Sequence, residues 1–296
     1  MVKNDFVIKN NNILAYVCKY GKLVIPNNIK EILEKAFYNC DHIVEVIIPN
    51  SVTSIDSNAF ASCKNLQKII LPDSIELLGC GIFYDCDNLK EVVFPDTNTD
   101  IFFERPLFKN CKKLADNKGF VILKNTLCDY LGSETCIRVP NGVEYICAHA
   151  FINNKKITSV VLPNGVVGIA NLAFCGCENL EYITIPDSVV VLQSYSFDRC
   201  YNLRSIDLPN SIKYICEGTF CYCTNLESIV IPSGVTEICQ KTFEGCKNLK
   251  SIYISKNIVA IDYTAFKDCP NVTIHAPLDS YAHRFAKINN IPFVAE

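Results

Sequence analysis

Nowhere does this 296-residue chain approach the roughly 20 consecutive apolar residues that cross a bilayer, which argues against membrane insertion. The opening MVKNDFVIKNNNILAYV has no apolar core of signal-peptide length. A soluble chain is therefore expected, although an export signal removed from the sequence would leave the compartment open. No Lys/Arg-rich block is present, and the net charge is -3 with a pI near 5.9. The electrostatic footprint of a nucleic-acid or anionic-membrane partner is thus missing. No Walker loop, nucleophile elbow or H-E-x-x-H occurs. The four histidines, His42, His149, His275 and His283, are scattered without a repeated acid or nucleophile. The expectation is no catalytic residue, no cofactor and no metal ligand set, hence no enzyme.

What is present is repetition. Apolar residues make up 49% of the chain and charged residues 20%, enough for a continuous core. Pro26, Pro49, Pro72 and Pro95 stand 23 residues apart, followed by Phe37, Phe60 and Phe83 and then by Cys40, Cys63 and Cys86. From Pro140 the same spacing runs through Pro163, Pro186, Pro209 and Pro232, with Ser255 in the next slot and phenylalanines from Phe151 to Phe266. A 23-residue unit cannot bury an apolar face alone, but stacked copies bury theirs against one another. Each position of the unit then forms a column, with neighbours about 4.8 Å apart. Leu249, Ile252 and Ile254 are read as inward strand positions, and Val235 and Ile238 as the lining of a shorter extended segment opposite. Proline ends the strand and sets a corner.

Two regions depart from the period. Residues 5–25 read as a hairpin about Asn10, Asn11 and Asn12 that closes the first end. The segment 119–139 repeats it at a constant offset of 114, Phe6 answering to Phe120 and Tyr16 to Tyr130, so the chain carries an internal duplication. The fourth unit is irregular, with an extra Pro106 before Phe108. After Cys269 the pattern fades into a tail in which Ser280 is placed to N-cap a short helix carrying Ala282, Phe285 and Ala286 on one face, with Ile291 to Val294 as a last strand.

The unit IPNSVTSIDSNAFASCKNLQKI resembles the BspA-like leucine-rich repeats, whose units read approximately IPxSVTxIxxxAFxxCxxLxxI. The resemblance covers nearly the whole chain, with Asn154 in a Cys slot, the unit at 95–114 and the Thr-Phe pairs at 219 and 242 as departures. It implies a β-rich repeat solenoid, a right-handed leucine-rich-repeat-like stack of about ten coils. The chain divides into a capping hairpin (5–25), a first repeat block (26–118), an inserted hairpin (119–139), a second block (140–270) and a C-terminal cap (271–296), all in one solenoid spanning 1–296. By resemblance, such a solenoid binds proteins, is found on cell surfaces and often serves adhesion; it transfers no catalytic residue.

The 18 cysteines are read by position. A main column of nine, from Cys40 to Cys269, is expected to be small and buried, each thiol a weak donor. A second column holds Cys147, Cys216 and Cys239. The pairs Cys175/Cys177 and Cys221/Cys223 invite a zinc site but lie two coils apart, about 10 Å by strand spacing. The Asn271-Val272-Thr273 sequon decides nothing. The outward side of the longer strands is the candidate protein-binding face: Tyr182, Ser205, Asp207, Ser228, Val230, Ser251 and Tyr253, with small hydroxyls beside apolar side chains. A different reading is an intracellular scaffold with buried free thiols.

Overall fold

The computed structural model describes residues 6–16, 21–94 and 105–296; Pro95 and the start of the irregular fourth unit lie outside them. The chain forms a β-solenoid and separates into two compact units, residues 1–132 and 133–296. About 12 turns are present in all, where proline spacing predicts about ten. One reason is that the first hairpin supplies a rung of its own, its strand Asn12–Tyr16 pairing in parallel with Glu31–Ile32.

Each coil in the first unit alternates a three-residue and a two-residue strand. Lys22–Val24, Glu45–Ile47, Lys68–Ile70 and Glu91–Val93 stack in parallel and in register on one side. Glu31–Ile32, Ser54–Ile55 and Leu77–Leu78 do so on the other. Lys22–Val24 therefore belongs to the ladder and not to the expected 5–25 hairpin. That hairpin is confined to Phe6–Lys9 and Asn12–Tyr16, turning through Asn10 and Asn11 at φ 51° and 63°, the left-handed pair of a tight two-residue turn.

The duplication extends to detail. Phe6 pairs with Tyr16 and Phe120 with Tyr130, and both hairpins shift register at equivalent points, Val7/Ile8 and Val121/Ile122. The offset of 114 reproduces a backbone irregularity as well as a residue pattern.

In the second unit the longer strands form two ladders. Cys136–Arg138, Ser159–Val161 and Tyr182–Thr184 make the first. Ser228–Val230, Ser251–Tyr253, Thr273–Ala276 and Phe293–Ala295 make the second. The intervening Ser205–Asp207 is not a strand. The helix α1, Tyr281–Ile288, is capped by the Ser280 hydroxyl, which accepts from the His283 amide at 3.1 Å. It buries Ala282, Phe285 and Ala286.

The phenylalanine column is the spine of both units. From Phe37 to Phe108 ring centroids are 4.7 to 5.9 Å apart and nearly parallel; from Phe151 to Phe266 they are 4.8 to 5.7 Å apart. Separations above the strand spacing of about 4.8 Å mean that most rings are offset, the favoured aromatic geometry. Tilted rings end the stacks: Tyr16 and Phe6 lie against Phe37, and Phe285 of α1 against Phe266.

Proline closes the corner through its carbonyl. Pro26, Pro49, Pro163, Pro186, Pro209 and Pro232 each accept the amide three residues on, and Ser255 does the same with Ile258. The proline slot thus requires a turn rather than a proline ring. Two left-handed residues per coil bend the broad turn around phenylalanine, as at Asn58 and Ser62 or at Tyr195 and Arg199.

Candidate protein-binding face

Every main-column cysteine from Cys63 onward donates its thiol to the carbonyl of the phenylalanine one coil back, as Cys63 does to Phe37 at 3.1 Å, Cys200 to Phe174 at 3.3 Å and Cys269 to Phe243 at 2.9 Å. This confirms the expected small, buried donor. Burial pushes the Cys63 thiol up to about 12, so it stays protonated and able to donate. Cys40 departs from the column, being disulfide-bonded. Asn154, in the corresponding slot of the second block, instead accepts from the Lys156 and Ile157 amides. Sixteen other described cysteines are free.

The two C-x-C pairs are linked by chemistry the sequence reading missed. The residue after each phenylalanine forms a column of Cys175, Asp198, Cys221, Glu244 and Lys267, one coil apart. Asp198 is only 8% exposed. It accepts from Cys175 Sγ at 3.5 Å and from Cys221 on its other side, and Arg199 Nε lies 3.6 Å away. Burial raises the Asp198 carboxyl above its usual range, and it pushes both flanking thiols up to about 12. Glu244 and Lys267 continue the row as an ion pair at 2.9 Å. Both thiols keep their protons and donate hydrogen bonds to the carboxyl group between them. Among the described residues no group of three or more His, Cys, Asp or Glu side chains could hold a metal ion.

A further column is the asparagine two residues after most main-column cysteines, with His42 and Lys113 in the slots after Cys40 and Cys111. The Asn202, Asn225 and Asn248 amides donate to Asn179, Asn202 and Asn225 at 3.1 to 3.2 Å, and Asn65 and Asn88 reach backbone carbonyls one coil back. The signal was the recurring Asn-Leu pair, readable as a ladder along the turns. Asn271, the sequon residue, ends this row on the Lys247 carbonyl at 2.9 Å.

On the longer-strand face the two units differ. In the first unit the outward column alternates in charge and neutralises itself, Lys22 with Glu45 at 3.3 Å and Lys68 with Glu91 at 2.5 Å. In the second unit it is built of Ser159, Tyr182, Ser228, Ser251 and Thr273. Ser228 is in register with Ser251, and Val230 with Tyr253, so these four expected residues form one patch. Val230 is 63% exposed and Tyr182 48%. Tyr253 stacks on His275 at 4.5 Å, and His275 Nδ1 lies 3.0 Å from Glu296, which fixes the phenol. Tyr182 stands on the other ladder. Ser205 and Asp207 are exposed but off the ladders, so the single strip expected from the sequence is divided there.

The family model for the BspA type leucine-rich repeat region matches residues 10–119 and 135–273 in 6 copies. The chain belongs to the BspA-type leucine-rich repeat family. Among solved structures, a leucine-rich repeat protein from Bacteroides ovatus ATCC 8483 is similar, at 19% identity and a TM-score of 0.50, covering 100% of this chain and 99% of that one. A leucine-rich cell surface protein from Faecalibacterium prausnitzii A2-165 is 21% identical, with a TM-score of 0.40 and 94% of each chain covered. The pneumococcal vaccine antigen PcpA is 15% identical, with a TM-score of 0.49 and coverage of 100% and 98%. No curated protein matches the sequence. Membership in this BspA-type repeat family supports a protein-interaction scaffold. Among the described residues no helix is long and apolar enough to cross a membrane.

Proposed function

We propose that the protein is a non-enzymatic solenoid that binds another protein on the longer-strand face of residues 133–296, with Tyr182, Val230 and Tyr253 as anchors and Ser228 and Ser251 as small polar neighbours. The observation that carries this reading is Val230, 63% exposed beside the stacked Tyr253, on a ladder where Ser228 and Ser251 stand in the column that Lys–Glu pairs fill in the first unit and the Glu227–Lys250 pair lies at the edge. Apolar and aromatic side chains held by a rigid sheet give contact area at little entropic cost. Ser205 and Asp207 flank the patch and would meet a partner at its rim. Family membership favours a surface-associated or adhesive setting.

The test is a proximity or pull-down screen comparing the wild type with a Tyr182→Ala, Val230→Ala, Tyr253→Ala triple variant. Capture should fall at least tenfold, about 1.4 kcal/mol, while the melting temperature changes little, since all three side chains face outward. Unchanged capture by the triple variant would remove the site assignment.

A second reading, an intracellular scaffold or structural module, draws on the sixteen free thiols; the disulfide at Cys40 favours an oxidising compartment instead. Thiol titration of freshly isolated, denatured protein separates them. Retention of all 18 free thiols favours the intracellular reading, and recovery of disulfides favours export.

A further inference from the structure

Cys216 and Cys239 occupy the same position of adjacent coils, the residue after the buried isoleucine of each short strand. They differ from the main column in two respects. Both are half-exposed, where the column thiols are buried. Neither thiol donates a hydrogen bond among the described residues, whereas the column thiols from Cys63 onward each reach a phenylalanine carbonyl. Their own carbonyls are already taken, by Thr219 at 2.8 Å and Thr242 at 2.7 Å.

The backbone between them is also exceptional. At this position the amide regularly donates to the inward residue one coil back: Asp56 to Ile32 at 2.8 Å, Ala170 to Ile146 at 3.0 Å, Gln193 to Ile169 at 2.9 Å, Cys216 to Leu192 at 3.0 Å and Asp262 to Ile238 at 2.9 Å. The corresponding bond from Cys239 to Ile215 is not made, and the short-strand ladder stops at Tyr214–Ile215 and restarts at Glu237–Ile238. The coils stay joined just beyond this point, Gly218 N–H donating to the Gln240 carbonyl at 3.0 Å, so only the strand rung itself is open. The Cys216 and Cys239 side chains are near enough to interact electrostatically; a disulfide needs their Cα atoms within about 7 Å and their Cβ atoms at about 3.8 Å. An intact rung would resist that approach, and none is made here.

We propose that Cys216 and Cys239 form a redox-active dithiol, converted to an intercoil disulfide by exchange with a small organic disulfide. One thiolate attacks the small disulfide, forming a mixed disulfide and releasing one small thiolate. The second cysteine attacks the protein sulfur of that mixed disulfide, closing the Cys216–Cys239 bond and releasing the other small thiolate. The two protein protons end on the two small thiols. The protein gives up two electrons, and the small disulfide accepts them. Burial raises both thiols above their ordinary value, so the exchange is slow at neutral pH and quickens toward about pH 9.

The test uses the full-length protein and oxidised glutathione at about pH 9, continued until the exposed Cys80 and Cys136 are fully derivatised, followed by alkylation and peptide mapping. The expected product is one cross-linked peptide pair containing Cys216 and Cys239, two hydrogens lighter than the reduced pair. In the Cys216→Ser variant the cross-link is lost and Cys239 stops at the mixed disulfide; Cys239→Ser gives the converse. Cys80 and Cys136 should carry only mixed disulfides. The proposal is overturned if wild-type Cys216 and Cys239 remain free, end as two separate mixed disulfides, or pair with other cysteines.

Discussion

At the scale of single residues, the broad turn around each phenylalanine demands left-handed backbone from residues that ordinarily avoid it. Leu172, Tyr195 and Tyr222 sit at φ 59°, 58° and 54°, at a cost of about 1 to 2 kcal/mol each. Glycine meets the demand at Gly218 (φ 60°) and also leaves room for a neighbour. A Cβ there would fall 2.2 Å from Tyr195 Cε1, and Tyr195 Oη donates to Glu217 at 2.5 Å. Gly218→Ala should therefore destabilise the protein by about 2 kcal/mol or more, the left-handed penalty plus displacement of the ring. In urea unfolding, a Tyr195→Ala background should recover part of that loss. Equal losses in both backgrounds would show that the ring plays no part. The period marked this slot, but the ring over it was not readable, because Tyr195 lies a full coil earlier in the chain.

Elements here are columns more than strands or helices. The phenylalanine, cysteine and proline columns were legible because each repeats one residue type and each type has one use: a stacked ring, a thiol on a carbonyl, a turn carbonyl. The Asp198 column was not legible, since its members change from coil to coil and only stacking shows that Cys175 and Cys221 share a carboxylate. Burial holds the Asp198 carboxyl above its ordinary value of 3.8 in the folded state. Its stabilising contribution is complete below 3.8 and is lost as pH rises through the elevated folded value. Asp198→Asn abolishes this titration and keeps an acceptor for Cys175. The melting temperature of the variant relative to the wild type should thus climb by a few degrees from pH 3.8 upward and level off once the wild-type carboxyl is ionised. A difference that stays flat across that range would contradict the assignment.

At the scale of the whole molecule, a stack of identical coils leaves an apolar end that something must cover. In the second unit the cover is α1 with Phe293–Ala295: Phe285 meets Phe266 at 6.1 Å, and the last strand pairs with Thr273–Ala276. Ending the chain at Ala276 should expose Phe266 and leave Thr273–Ala276 as an unprotected sheet edge. Size-exclusion chromatography should then show the shortened protein associating with itself at concentrations where the full chain does not. A truncated form with unchanged elution would mean that the cap is dispensable.

The sequence by itself determined the coil: where it turns, which side chains face inward, and that the pattern is duplicated at an offset of 114. Those features follow from local chain chemistry and a fixed period, so every copy states them again. Only the tertiary structure decided what passes between copies. It divided the strand face at Ser205–Asp207, filled the outward strand column with Lys–Glu pairs in one unit and with hydroxyls beside Val230 and Tyr253 in the other, and left out the rung between Cys216 and Cys239. The reason is physical: an intercoil contact depends on two residues 22 to 26 positions apart and on whether their backbones close a hydrogen bond, which a repeat read one unit at a time does not contain.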